Sequence, residues 1–161
     1  MSAIQMLTFD DNGGGSVLLT SEQLRVKGSA IGNMTQGSGI TSAFDGSTTG
    51  NFADGARKDP SENAFIGRNF GEPVTIAQVV LERPEGSGTG GSNCFPGEGG
   101  GTYKIQKSSD GSSYTDVASV SGTTAKSITI TFTAASAQYW RALFDGDNNG
   151  GTVQEMTFSS S

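Results

Sequence analysis

Ser127–Thr133 reads SITITFT, in which Ile128, Ile130 and Phe132 alternate with Thr129, Thr131 and Thr133. Apolar and polar residues at a strict period of two describe a strand with one buried and one wet face. Within TYKIQKS the run Tyr103–Lys107 repeats the pattern, with Tyr103 and Ile105 opposing Lys104 and Gln106. Working outward, further runs of strand type cover 4–9, 17–19, 23–27, 64–70, 74–81, 114–120, 138–144 and 152–158, and none of the chain reads convincingly as helix. Turn residues separate the runs: Asp10–Gly15, the hairpin-like Ser109-Asp110-Gly111, and Asp145–Gly151. Many short strands with wet outer faces predict an all-β fold, an antiparallel β-sandwich of the jelly-roll kind. Residues 1–20 are expected to form an N-terminal arm or extra strand, and 21–161 the sandwich domain. Tyr139, Trp140 and Phe144 are expected in its core.

Composition agrees with this reading. Of 161 residues, 25 are Gly, 21 Ser and 17 Thr, a turn-rich and β-tolerant supply that argues against a helical bundle. No apolar run approaches the ~20 residues of a membrane-spanning helix. The formal charge is −6, and the ten Lys and Arg are scattered apart from Arg57-Lys58. That pattern lacks the basic footprint of nucleic-acid or anionic-membrane binding. The chain has no His, which removes the commonest general base and most transition-metal sites. Its one Cys, Cys94, excludes an intrachain disulfide and has no His partner to make it a nucleophile. The opening residues MSAIQMLTFDD lack the basic start and apolar run of a secretory signal.

Three segments, taken in order, resemble the discoidin or coagulation-factor C-type domain, a galactose-binding-like sandwich related to the family-32 carbohydrate-binding modules. The first is ITSAFDGSTTGNF, Ile40–Phe52, with Phe52 in the family's Trp place. The second is FIGRNFGEPVTIAQVVLERP, Phe65–Pro84, with Phe70-Gly71 at the family's turn between two strands. The third runs from Thr102 to Phe158, with Tyr114 closing the Ser-x-Asp-Gly hairpin motif and Gln138-Tyr139-Trp140-Arg141 and Val153-Gln154-Glu155-Met156 in the places of two family strands. The resemblance covers roughly Leu24–Phe158.

It implies a structural Ca2+ held by Asp45, by the backbone of Ala43 or Ser47, by Thr49 or Gly50, and by Glu155, which would tie the first loop to the last strand. Oxygen-only donors of this kind suit a hard cation. A plainer reading has Asp45 bonding its own turn and Glu155 as a solvated strand carboxylate. Asp145, Asp147 and Asn149 match the first half of an EF-hand loop, but the closing Glu falls one residue early and strands flank it, so the segment reads as an acidic turn.

The resemblance also implies sugar binding on loops at one end of the sandwich. A sugar needs an aromatic platform and hydrogen-bonding groups on rigid loops. The Gly-rich stretch 84–101 carries Asn93 and Phe95, and Arg57 and Arg68 are the nearby cations; Phe95 either meets a sugar or folds back to anchor its loop. The expected function is a non-catalytic module that recognises cell-surface glycans and works among neighbouring subunits of a larger assembly. The alternative is a structural virion protein, a bacteriophage head, tail, spike or fibre component, located on a virion or extracellular surface.

Overall fold

The computed structural model describes residues 18–34, 36–48, 56–57, 64–83, 102–121, 125–145 and 152–160, with the side chains of 36, 56, 57 and 145 excepted. Along the chain run α1 (Ser21–Val26), β1 (Ser29–Gly32), β2 (Gln36–Gly37), a 3-10 turn (Ile40–Phe44), β3 (Ala56–Arg57), β4 (Ala64–Glu82), β5 (Thr102–Ser108), β6 (Thr115–Ser121), β7 (Ser127–Asp145), β8 (Thr152–Val153) and β9 (Glu155–Ser159). All described strand pairs are antiparallel. The expected all-β sandwich is what forms.

Two 19-residue strands, β4 and β7, organise it. Their first pairing block, 64–69 with 139–144, extends into a sheet of order β1-β4-β7-β5-β6. Their second block, 74–82 with 127–137, is extended by β9 on the far side of β4. A register shift between Asn69 and Val74 separates the blocks, and a second, between Ile76 and Gln78, falls inside the second block. Such irregularities bend a strand and let it pass from one layer to the other. The bend is measurable in side chains. Phe132 and Trp140 lie eight residues apart on β7, ~26 Å if extended, yet their rings stack at 5.8 Å. Phe70 likewise meets Phe158, the partner of Val79, at 5.4 Å edge-to-face.

Between the layers lie Trp140, Tyr103, Ile66, Ile76, Ile105, Leu81, Met156 and Phe158, all essentially without exposure. In SITITFT, Ile128 and Ile130 are buried while Thr129 and Thr131 are exposed, as the alternation predicts. The indole N–H of Trp140 is satisfied by the Ala137 carbonyl at 3.0 Å.

Four sequence readings are corrected. Gln23–Lys27 is not a strand but most of α1. Thr20 caps it reciprocally: Gln23 N–H donates to Thr20 Oγ1 (3.2 Å) and Thr20 N–H to Gln23 Oε1 (2.8 Å). This Thr-x-x-Gln capping box outweighs the short alternating pattern. Leu18 and Leu19 of the expected 17–19 strand are irregular. The expected strand pairs 64–70/74–81 and 127–133/138–144 are each one bent strand. The expected strand 152–158 breaks at Gln154, whose N–H leaves the run to donate to the Glu82 carbonyl at 2.7 Å. The expected strand 4–9 lies outside the described residues.

At Gly67 the backbones of β4 and β7 come so close that a Cβ would sit 2.0 Å from the Trp140 carbonyl oxygen and 2.6 Å from Arg141 Cα. Gly67→Ala is therefore expected to cost about 1–3 kcal/mol or more through forced strand separation. Chemical denaturation should show a lower midpoint; an unchanged midpoint would mean that the strands separate freely here.

Candidate functional site

The first candidate joins the start of the chain to its last strand. The 3-10 turn ends at Asp45, Gly46 adopts φ +85°, and its N–H donates to Glu155 Oε2 at 3.1 Å. Asp45 Oδ1 accepts the Ser47 N–H at 2.8 Å, the local Asx bond of the plainer reading. Glu155 is not a solvated strand carboxylate, however: it is 2% exposed, and its Oε1 is buried with no hydrogen-bond partner. Burial pushes its carboxyl up to about 7, the Gly46 N–H opposes that rise, Asp45 adds to it, Arg25 opposes it more weakly and Glu82 adds a little more. Arg25, on α1, donates to the Phe44 carbonyl at 3.2 Å and pairs with Glu22.

A buried carboxylate with an unmet oxygen, beside a second carboxylate and a turn rich in carbonyls, fits a hard cation. Asp45, Ser47 and Glu155 thus converge, while Thr49 lies outside the described residues. Among the described residues no group of three or more His, Cys, Asp or Glu could hold a metal. An ion here would depend on carbonyl and hydroxyl oxygens as well as these two carboxylates.

Of the four sugar-binding candidates, the described residues include the side chain of Arg68 alone. Arg68 is buried and points inward: its guanidinium donates to the Lys27 and Gly28 carbonyls at 2.9 and 3.1 Å and lies 4.9 Å from the Phe44 ring centre. Burial lowers its pKa. Its task is to fasten the end of α1 to the sheet, a structural use in place of the expected contact with ligand. Arg57 lies on β3, whose backbone pairs with β2 and β8. Asn93 and Phe95 lie outside the described residues, as do Cys94, Asp147 and Asn149.

A feature absent from the sequence reading occupies the outward face of the five-stranded sheet. Pairing register places Ile31, Gly67, Arg141, Gln106 and Asp116 in one row across β1, β4, β7, β5 and β6. The Arg141 guanidinium lies 3.6 Å from the Tyr114 ring centre and 4.9 Å from that of Phe65. Its Nε donates to Gln106 Oε1 at 2.8 Å, and the Gln106 amide donates to Asp116 Oδ1 at 2.6 Å. Above the row opens a concavity of about 350 Å3, walled by Ile31, Ile40, Phe65, Tyr114 and Tyr139.

The β5–β6 turn closes one side. Ser108 Oγ accepts the N–H groups of Asp110 and Gly111, and Asp110 Oδ1 those of Ser112 and Ser113. Those two donors hold the Asp110 carboxyl down at about 2. Gly111, at φ +74°, lies flat on Tyr139, where a Cβ would come within 2.9 Å of the ring. Tyr139 is thus an outward wall; of the three aromatics expected in the core, Trp140 and Phe144 are there. The alternation Tyr139-Trp140-Arg141-Ala142 carried that distinction already.

The layered antiparallel sandwich, with its 40–48 turn docked on the last strand, defines the galactose-binding-like class. Residues 42–142 match the family model described as NedA-like, galactose-binding domain, and the chain belongs to that family. No curated protein matches the chain. Among solved structures it is similar to chitosan-binding module 1 of a chitosanase/glucanase from Paenibacillus sp. IK-5 (TM-score 0.63, 23% identity, 84% of this chain and 96% of that one). It is also similar to a family 32 module from Clostridium perfringens in complex with GalNAc-β-1,3-galactose (TM-score 0.64, 14% identity, 88% and 99%). The lectin domain of lectinolysin complexed with Lewis B antigen is a third (TM-score 0.68, 17% identity, 89% and 99%). At these identities the likeness is one of fold.

Glu155 generates a pH prediction. Its folded value, about 7, lies above the ordinary 4.5, so between those pH values the folded chain holds a proton that the unfolded chain has released. The resulting stability is complete below pH 4.5 and lost as pH rises through 7. In chelator-treated buffer the melting temperature is expected to fall from pH 5 to pH 8, and Glu155→Gln to flatten that slope; equal slopes for the two proteins would contradict the burial assigned to this carboxyl.

Proposed function

We propose that the protein is a non-catalytic glycan-binding module. The family match over residues 42–142 supports this reading most directly. The architecture suits it: strands paired on both long edges of β4 and β7 form a stiff support, and stiff supports lower the ordering cost of binding at their loops. Three structural relatives carry glycan ligands or names: chitosan, GalNAc-β-1,3-galactose and Lewis B. In this proposal Arg57, Asn93 and Phe95 form the rim contact, with Phe95 as platform and Arg57 and Asn93 as hydrogen-bonding groups. The chain has no His to contribute, so amide and guanidinium donors would set its preference.

A structural Ca2+ at Asp45, Ser47, Thr49 and Glu155 belongs to the proposal. The orphaned Glu155 Oε1 supports it. The ion would neutralise the buried carboxylate and clamp the 45–50 turn to β9, close to the edge where β3 meets β8. Adhesion to a cell surface, within an assembly of neighbouring subunits such as a virion, is the setting we propose for such a module.

Two measurements test this. On an array carrying chitosan oligomers, GalNAc-β-1,3-galactose and Lewis B, at least one glycan is expected to bind, and Phe95→Ala to weaken it about tenfold, on the scale of a lost aromatic contact. Chelation is expected to lower the melting temperature at pH 7.5, and Asp45→Ala to remove that shift. A silent array would count against the glycan reading, and a melting curve indifferent to chelator would remove the ion.

A further inference from the structure

We propose that the outward sheet face carries a second ligand site, separate from the rim, that takes a carboxylate-bearing sugar in the concavity over Arg141. It rests on the glycan-binding reading for the class of ligand, but on none of the rim residues.

The carrying observation is how Arg141 is held. An arginine on a sheet face ordinarily extends into water and keeps its rotamer freedom. This one is stacked at 3.6 Å on Tyr114, flanked by Phe65, and oriented by the Nε–H bond to Gln106. Gln106 is in turn fixed by Asp116 and only 7% exposed. Yet among the described residues neither terminal nitrogen of Arg141 has a hydrogen-bond acceptor, and no carboxylate pairs with it. The guanidinium is therefore partly desolvated, immobilised and unpaired, with the ends of its fork uncommitted.

The ligand that this arrangement fits follows from geometry. A planar fork with two free nitrogens matches a carboxylate bidentately, and the order already imposed on the side chain lowers the entropy lost on binding. The walls of Tyr114, Tyr139, Ile31 and Ile40 offer the apolar surface that sugar-ring C–H faces pack against. About 350 Å3 lies at the small end of ligand pockets, ~300–1,000 Å3, so the site suits one terminal residue rather than a long chain. A uronic acid combines a ring face with a carboxylate of this size.

The test is an NMR titration of the isotopically labelled protein with tri-galacturonate, with galactotriose as its neutral counterpart, and with acetate and a tripeptide bearing a free C-terminal carboxylate. Tri-galacturonate is expected to shift the Arg141 Nε–H and the ring signals of Tyr114 and Tyr139, and galactotriose to leave those signals still. Arg141→Lys, which keeps the charge but loses the fork and the stacking, is expected to weaken binding at least tenfold. Since that variant also loses a bond to Gln106, Ile31→Glu provides a second probe. It adds a carboxylate to a half-exposed wall position and should block the same shifts while the rest of the spectrum stays native. The proposal is overturned if Arg141 and both tyrosines ignore tri-galacturonate, if galactotriose moves them equally, if acetate or the tripeptide binds as well as the uronate, or if Ile31→Glu binds undiminished. Failure of the rim reading is a different result, the silence of neutral glycans on the array.

Discussion

The pairing of β4 with β7 is the constraint on which the other parts depend. Both strands run through two layers, so their shared register sets the offset of one layer from the other. A one-residue slip would exchange Trp140 with Tyr139 or Arg141 and turn the core outward. Gly67 holds this register at closest approach, where no side chain can enter between the strands. The bulge at Asn69–Val74 does the bending: Gly71 takes φ +80°, its N–H bonds back to Asn69 Oδ1 at 2.9 Å, and Gln138 on β7 donates to the same oxygen at 3.1 Å. One Asn side chain thereby secures the bend to both strands.

The ends of the folded unit are fastened onto that frame by polar groups rather than by more core. Arg68 reaches from β4 to the end of α1, Arg25 from α1 to the Phe44 carbonyl, and Gly46 to Glu155 on β9. Buried charge is costly unless matched. Arg68 meets carbonyls and an aromatic face, whereas Glu155 keeps an unmet oxygen.

Much of the frame could be read from sequence because period-two alternation is a local signal. SITITFT, TYKIQKS and the Ser-x-Asp-Gly hairpin kept their expected roles. What was not legible depended on partners distant in the chain. Arg68 looks like an available cation until Lys27 and Gly28 are seen beside it. β4 reads as two strands because a bulge and a turn use the same residues, Gly71 and Pro73, and β7 because Ala134-Ala135-Ser136-Ala137 interrupts its alternation. The α1 helix was legible, in Thr20 and Gln23, but a six-residue segment gives alternation and capping almost equal evidence. Of the metal candidates, Asp45 and Glu155 come together across the fold. The sugar candidates Asn93 and Phe95 sit in a Gly-rich stretch where no periodicity constrains the chain.

The two faces of β7 separate stability from recognition. Trp140, Ala142 and Phe144 point into the core and tolerate little change, since all three are buried in a close-packed interior. Tyr139 and Arg141 alternate with them and are half-buried on the outward face. Substitutions there can alter what the sheet face attracts without altering how the sheet is built, provided Gln106 and Tyr114 still hold whatever replaces the guanidinium. The Gln106–Asp116 bond is informative in this respect. Asp116 could have paired with Arg141 directly and neutralised it, but Gln106 stands between them and takes the carboxylate oxygen. Gln106 thus accepts from Arg141 and donates to Asp116, which links β7, β5 and β6 and orients the arginine, while the Asp116 carboxylate acts on the guanidinium through space.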